Sequence, residues 1–532
     1  MTSKENTKTS HRYAARIAKI MAVTLIGKVM GILRDRMQGV YFGTYSPEGI
    51  AFTQASLLPR VFLDIMFASA LSASFIPVFN LYLETKGKEA AFELAASFIK
   101  IVLLITTIVT LAAIIFAGPL YSFFLGGDLT RNPEAAFLGV RLLRMMFPIM
   151  IITSLAFSFT GILQSLGQFY IPAAMSIASN GIILLYYFFL IDYFGVYGLA
   201  AAFLTGWSFQ VLIQAPFLIK TFKNANIKFF ASLWFCNEGL SSIGRLSLPV
   251  MVASWIGPVN LLVNTRASVT LYGGEHGVVA INMAHTLYTV ITGLFVLSMA
   301  NVLFPALSKQ AALEDWESYS ASLRGSIRGL LFLLLPMMFG LMALSEPLTA
   351  LVFQGGRFQD TSVNITATAL SFFSLGIAGF GLQVILSRAC FALRDGRGPL
   401  LTGILAIAVN FILSYALAPT MEIAGPALAS AIAVSTAAAG LSIRLHKKMP
   451  HGLWARDMAI DTVKMLVLAL IMYTAVVFVM DFFAGNRILA LLAPAGIGAT
   501  IYMAGALILN LPEAGLRFSW VLGKLGFREK AP

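Results

Sequence analysis

Ser74-Phe75-Ile76-Pro77-Val78-Phe79 and Val302-Leu303-Phe304-Pro305-Ala306-Leu307 are two versions of one segment, with their prolines 228 residues apart. Gly118-Pro119-Leu120 and Glu346-Pro347-Leu348 recur at the same interval, and the glycine pairs behind them, Gly126-Gly127 and Gly355-Gly356, at 229. Gly167, Pro172, Asn180 and Gly198 are echoed by Gly396, Pro399, Asn410 and Gly425, at offsets between 227 and 230. A single match is chance; an ordered series at nearly constant spacing is an internal duplication. Duplicated membrane chains are the architecture of secondary transporters, whose substrate site lies between the repeats.

Composition places the duplication in a bilayer. The 532 residues are 58% apolar and 11% charged, where soluble domains carry roughly 25% charged residues. Mean hydropathy is +0.83. Fourteen stretches approach or exceed the roughly 20 residues needed to span: 14–40, 51–82, 92–123, 136–163, 171–192, 196–219, 246–270, 277–308, 324–344, 362–391, 399–418, 423–444, 459–481 and 488–510. The fold class expected is therefore an all-α polytopic membrane protein of about fourteen transmembrane helices. The first dozen residues are polar and no cleavable signal is expected after them.

Charge sets the orientation. With a cytoplasmic N-terminus, 26 of the 37 basic residues fall on the cytoplasmic side, among them Lys220, Lys223, Lys228 and Arg245 between spans 6 and 7. The outer loops hold little more than Arg131, Arg357 and Arg487. The positive-inside rule then places both termini in the cytoplasm. The net charge of +13 follows from this asymmetry, so lipid headgroups and not nucleic acid are the partners it implies. An offset covering six spans puts the repeats in parallel orientation: an N-lobe at 1–220, a cytoplasmic linker at 221–245, a C-lobe at 246–445, and two extra helices with a tail at 446–532. Because the repeats supply both walls of a cavity, a monomer is expected.

Ionisable residues inside the spans are the informative ones, since a charge at mid-membrane costs about 2.5–3.5 kcal/mol on the insertion scale. Lys28, Arg34 and Asp35 lie on span 1, Arg60 and Asp64 four apart on span 2, and Arg266 on span 7. They read as a cationic central cavity, with helix-packing ion pairs as the competing reading. Guanidinium forks match phosphate oxygens, so an anionic phosphate or pyrophosphate ligand is implied. Lys100 is expected to snorkel to the cytoplasmic interface; Arg141 and Arg144 either snorkel outward or face the cavity. Gly27 and Gly31 around Lys28, and Gly257-Pro258 in span 7, read as hinges or local unwinding points. Cys236 and Cys390 read as free, inert thiols, the five histidines have no metal spacing, and no phosphate-binding glycine loop occurs. No enzyme and no cofactor is expected.

Gly27-Lys28-Val29-Met30-Gly31-Ile32-Leu33-Arg34-Asp35, Ala73-Ser74-Phe75-Ile76-Pro77-Val78 and Leu303-Phe304-Pro305-Ala306-Leu307-Ser308-Lys309 resemble the MurJ/MviN lipid II flippase family of the multidrug/oligosaccharidyl-lipid/polysaccharide exporter superfamily. Phe353-Gln354-Gly355-Gly356-Arg357-Phe358 and Ala392-Leu393-Arg394-Asp395-Gly396-Arg397-Gly398-Pro399 extend the resemblance, which covers roughly residues 15–510. It implies two lobes around a cationic cavity, a lipid-tail groove along the last two helices, and a bacterial inner-membrane location. It also implies transport of an undecaprenyl-pyrophosphate-linked peptidoglycan precursor, lipid II, from inner to outer leaflet by alternating access. On the family pattern Arg34 and Asp35 match the span 1 pair, and Lys28 replaces an arginine. Leu63 stands at the family's span 2 arginine, Ile50 at an acid, and His285-Thr286 at an acid–arginine pair in span 8, for which Arg266 is a substitute. Another polyprenyl-linked saccharide, or a small molecule exchanged for a cation, is the alternative cargo.

Overall fold

The computed structural model describes residues 3–63, 74–125, 133–224, 238–254, 256–271, 277–449, 452–454, 456–483 and 485–515. Its elements are helices. They run α1 (Ser3–Phe42), α2 (Pro47–Leu63), α3 (Ile76–Thr85), α4 (Gly87–Ile115), α5 (Ala117–Leu125), α6 (Pro133–Met146), α7 (Ile149–Ser165), α8 (Tyr170–Phe189), α9 (Ile191–Asn224) and α10 (Glu238–Ser254). Then follow α11 (Ile256–Leu271), α12 (Gly277–Ala312), α13 (Trp316–Ala343), α14 (Ser345–Phe353), α15 (Asp360–Ser374), α16 (Ile377–Ala392), α17 (Arg397–Met421), α18 (Ala424–Lys448), α19 (Arg456–Met480) and α20 (Arg487–Ile508).

Each of the fourteen expected spans falls on one helix or on two consecutive helices. Among the described residues nine helices are long and apolar enough to cross a membrane, and α15 with α16, bent by 44°, is as apolar when taken as a pair. The polar groups of a backbone in lipid must be satisfied within the segment, which is why helices are the solution here. Between α6 and α7 the break has a local cause, Pro148 at the N-cap of α7, while residues 64–73 between α2 and α3 lie outside the described residues and Pro77 sits in the first turn of α3. Proline lacks the N–H that would continue the ladder and is tolerated in a first turn.

Two compact units emerge: Met1–Leu262 with Gly355–Arg357, and Val263–Gln354 with Phe358–Pro532. The core of the first holds Phe52, Leu57, Leu58, Tyr121, Leu142, Leu143, Phe147, Tyr187 and Leu199, all buried. A second cluster, with Phe75, Phe79, Phe92, Ile99 and Ile162, ties α3 and α4 to α7. In the second unit α17 and α18 close on an alanine seam, Ala406 against Ala433 and Ala437; small residues let helix backbones approach where lipid supplies no hydrophobic drive.

Two local expectations are revised. Helix α1 runs unbroken through Gly27 and Gly31, so these glycines are not an unwinding point. A Cβ on Gly27 would lie 2.9 Å from the Ser176 side chain, and one on Gly31 3.5 Å from Asn180: the missing side chains let α8 lie close on α1. In span 7 residue 255 lies outside the described residues, and Pro258 sits in the first turn of α11. Lys100, instead of snorkelling, is only 5% exposed on α4. Cys390 is a buried free thiol; Cys236 lies outside the described residues.

Candidate substrate-binding site

The face of α1 that meets α8 and α9 carries the strongest polar constellation of the first unit. Arg34 and Asp35 are adjacent, yet their side chains curl together: Arg34 Nε and Nη2 both donate to Asp35 Oδ1, at 2.9 and 2.7 Å. Only 18% of the Arg34 side chain and 15% of the Asp35 side chain is exposed. Arg34 Nη1 donates to Asn180 Oδ1 on α8 at 3.1 Å, and the guanidinium lies 5.5 Å from the centre of the Phe203 ring on α9. Asn180 closes the arrangement by donating from Nδ2 to the Gly27 carbonyl at 3.2 Å.

The sequence explains why α8 can present Asn180 there. Its neighbour Ser179 accepts from Gln210 Nε2 on α9 at 3.0 Å. Four residues further along α9, Gln214 accepts from Thr160 on α7 at 3.2 Å and donates to the Ala156 carbonyl at 3.2 Å. Polar bonds between helices thus fix α7, α8 and α9 against one another behind the site, in surroundings where an unmet polar group is costly. Tyr187, two turns beyond Asn180 on α8, is fully buried, stacks on Tyr41 with ring centres 5.8 Å apart, and its hydroxyl has no hydrogen-bond partner.

The remaining sequence-derived candidates distribute as follows. Lys28 is half-buried on α1, about 9 Å before Arg34 at the helical rise of 1.5 Å per residue. Arg60 is exposed on the last turn of α2. Asp64, expected to pair with it, lies outside the described residues. Arg266 is half-buried on α11 in the second unit. Arg141 and Arg144 are exposed on α6, with Arg141 stacked 4.2 Å over Phe137. Asn180 is the site residue that a search for intramembrane charge passes over, although it belongs to the repeated landmarks.

The second unit holds the repeat equivalent of this site. Asn264 stands 230 residues after Arg34, as Asn410 does after Asn180. Asn410 Nδ2 donates to Asn264 Oδ1 at 3.0 Å across 146 residues, the same separation as the Arg34–Asn180 bond. Around it Asn264 Nδ2 donates to Ser430 at 2.6 Å, and Ser414 donates to Asn264 Oδ1 at 3.4 Å. Charge is present in the first repeat and replaced by amides and hydroxyls in the second. At the position of the family's span 8 arginine, Thr286 donates to the Asn282 carbonyl one turn back at 3.0 Å, and His285 packs by its ring against Phe373. Among the described residues no group of histidine, cysteine and acid side chains is arranged to hold a metal ion.

A duplicated bundle of membrane helices with a half-buried arginine–carboxylate pair inside a span has the architecture of a polytopic transporter. Comparison with known proteins narrows the class. The family model described as "Lipid II flippase MurJ" matches residues 40–496. The chain is 28% identical over 407 residues to a "Probable lipid II flippase MurJ" of Buchnera aphidicola subsp. Baizongia pistaciae, covering 75% of this chain and 76% of that one. It is 26% identical over 508 residues to a protein of the same description in Vibrio cholerae, covering 92% and 95%. The solved structure "Lipid II flippase MurJ, inward closed conformation" superposes with a TM-score of 0.77 at 23% identity, covering 92% of this chain and 98% of that chain. An inward-facing multidrug transporter of the MATE family follows at a TM-score of 0.66 and 15% identity, over 79% and 95%. The chain belongs to the MurJ lipid II flippase family.

Proposed function

We propose that this chain translocates an undecaprenyl-pyrophosphate-linked peptidoglycan precursor, lipid II, from the inner to the outer leaflet of a bacterial inner membrane. The observation that carries the chemistry is Arg34: a half-buried guanidinium inside an apolar helix, with three of its five N–H groups engaged by Asp35 and Asn180. One donor on each terminal nitrogen is left for a ligand, and a planar pair of donors suits a phosphate. Lys28 adds a second cation on the same helix, and Arg60 and Arg266 extend the cationic set. Family membership supplies the lipid-linked cargo. The first six and the next six spans act as the two repeats of an alternating-access transporter, working as a monomer. The basic loops support a cytoplasmic location for both termini, and their lipid-facing charge gives no role to nucleic acid.

A second reading keeps the mechanism and changes the glycan. The neutral Thr286, where the family has an arginine, and Leu63 in span 2 remove two cationic contacts, which favours keeping another polyprenyl-linked saccharide as the alternative. Cation antiport of a small molecule has fold-level support only.

The test is replacement of the resident lipid II flippase in a conditional bacterial strain, with surface-exposed lipid II quantified for wild type and Arg34→Ala at matched membrane levels. Restored growth and exposure, lost in Arg34→Ala, is the expected result. Growth rescue that ignores Arg34 sinks the site; a well-expressed wild type that exposes no lipid II moves the cargo to another lipid-linked glycan.

A further inference from the structure

We infer that Asn180 is a positioning residue for Arg34: it turns a general cation into an oriented phosphate-binding fork. The inference rests on the lipid-linked pyrophosphate reading above and adds to it a residue in another helix. Arginine can only donate, so the Asn180 oxygen must face Arg34, and the Gly27 carbonyl can only accept, so the nitrogen must face Gly27. These two partners fix the amide in a single orientation, at 3.1 and 3.2 Å. Asn180 is 7% exposed and sits on a helix locked to α9 through Ser179 and Gln210. Arg34 is therefore held from three directions: Asp35 on its inner edge, Asn180 on Nη1, and the Phe203 ring beside the guanidinium plane. A guanidinium with so few accessible rotamers loses little side-chain entropy when a ligand binds, whereas a free arginine gives up most of its rotamer freedom.

The second repeat separates architecture from function. Asn410 makes the same helix-to-helix bond to residue 264, but with the polarity reversed: its nitrogen donates to the Asn264 oxygen. An asparagine at this point is thus the repeat's general device for tying its fifth helix to its first. Only in the first repeat is the partner a guanidinium, and only there does the asparagine aim a ligand-binding group.

The experiment measures binding of undecaprenyl pyrophosphate to the purified full chain in detergent, for wild type, Asn180→Ala, Asn180→Asp, Arg34→Ala and the double variant Asn180→Ala with Arg34→Ala. Thermal unfolding is measured in parallel. Asn180→Ala removes one hydrogen bond to a charged group, and about a 5- to 10-fold loss of affinity is expected. Asn180→Asp keeps the side-chain volume but places a second carboxylate on Arg34, so a larger loss, about 10-fold or more, is expected from a chain that folds. In the Arg34→Ala background Asn180→Ala is expected to do nothing further, because it acts through the guanidinium. Equal affinity of wild type and both Asn180 variants overturns the inference, as does a loss that persists undiminished in the Arg34→Ala background. If the wild type itself binds no undecaprenyl pyrophosphate, the functional reading falls and takes this inference with it. Binding that is sensitive to Arg34 but blind to Asn180 removes the inference alone.

Discussion

Replacement of Asp35 by asparagine separates two roles that a carboxylate beside a binding arginine can play. Asp35 Oδ1 takes two bonds from Arg34, at 2.9 and 2.7 Å, so the charges are about 4 Å apart. At an effective dielectric of 20 their attraction is about 4 kcal/mol, a ceiling for partly buried groups. A phosphate arriving on the free Arg34 donors sits roughly 6 Å from the same carboxylate and is repelled by up to about 3 kcal/mol at that dielectric. Water reaches both side chains, and half of that figure is a fair working value. Asparagine keeps an oxygen for Arg34 and removes the charge, so Asp35→Asn is expected to tighten undecaprenyl pyrophosphate binding about tenfold, equivalent to about 1.4 kcal/mol. A headgroup held more tightly is released more slowly, so surface exposure of the lipid falls while affinity rises. Binding to the purified chain and exposure in cells give the two readouts. If Asp35→Asn binds more weakly than wild type while unfolding at the same temperature, Asp35 orients Arg34 and does not compete with the ligand, and the reasoning fails.

Three further outcomes follow from the packing. Gly356 has φ +53 and a Cβ there would collide with the Val40 carbonyl oxygen, in a turn where the Arg357 N–H donates to that same oxygen at 2.8 Å; Gly356→Ala is expected to destabilise by about 1–3 kcal/mol in a thermal unfolding assay, and unchanged unfolding would show that the turn is not seated on α1. Tyr187→Phe removes a buried hydroxyl without a partner, so stability should hold or rise by about 1 kcal/mol, whereas a clear loss would reveal a hydrogen bond in the working state. Asp395, in the turn between α16 and α17, accepts from Arg444 Nε at 2.7 Å, from Lys448 at 2.7 Å and from the Gly398 N–H at 3.2 Å. Chiefly through Arg444, these hold its carboxyl well below the usual carboxylate range. A depressed folded-state pKa gives stability that is fully present above the unfolded value near 4 and lost only as pH falls below it. Wild-type stability should therefore be flat on this account from pH 5 to 8, and Asp395→Asn should lose about 1–3 kcal/mol throughout that window; a loss that varies with pH inside it would contradict the assignment.

The fold was legible because hydrophobic length and proline spacing survive in the chain as written. Pro77 and Pro305, or Asn180 and Asn410, can be matched by eye, and spans of apolar residues have only one backbone solution in lipid. Charge was legible for the same reason: Arg34 stands out because so little around it is polar. What escaped was the role of neutral residues. Gly27 and Gly31 look like hinges in a string of letters, and become a docking surface only when Ser176 and Asn180 are seen above them. Lys100, by position, belongs at an interface, yet it is buried in the protein. Asn180 was visible as a landmark of the duplication, but a count of charges gives an asparagine no weight.

The reversed polarity of the two asparagine bonds is the point at which duplication and chemistry meet. A hydrogen bond between the first and fifth helices of a repeat requires one donor and one acceptor, and asparagine offers both from one side chain. It can therefore accept from an arginine in one copy and donate to an asparagine in the other. That tolerance lets one repeat gain a charge while its sister stays neutral. Restoring the charge by Asn264→Arg should then be sterically costly and not electrostatically useful, because Asn264 is 2% exposed and Ser430 and Ser414 occupy the space around it. Buried without a carboxylate at its side, since residue 265 is threonine where residue 35 is aspartate, the new guanidinium would lose about 3–5 kcal/mol of stability. The converse change, Arg34→Asn together with Asp35→Thr, copies an arrangement the second repeat already uses. It should keep the thermal stability of the chain within about 1 kcal/mol and abolish lipid exposure. A chain that unfolds on this double change as readily as on Asn264→Arg would show that the ion pair holds the first repeat together, and that its service to the ligand is secondary.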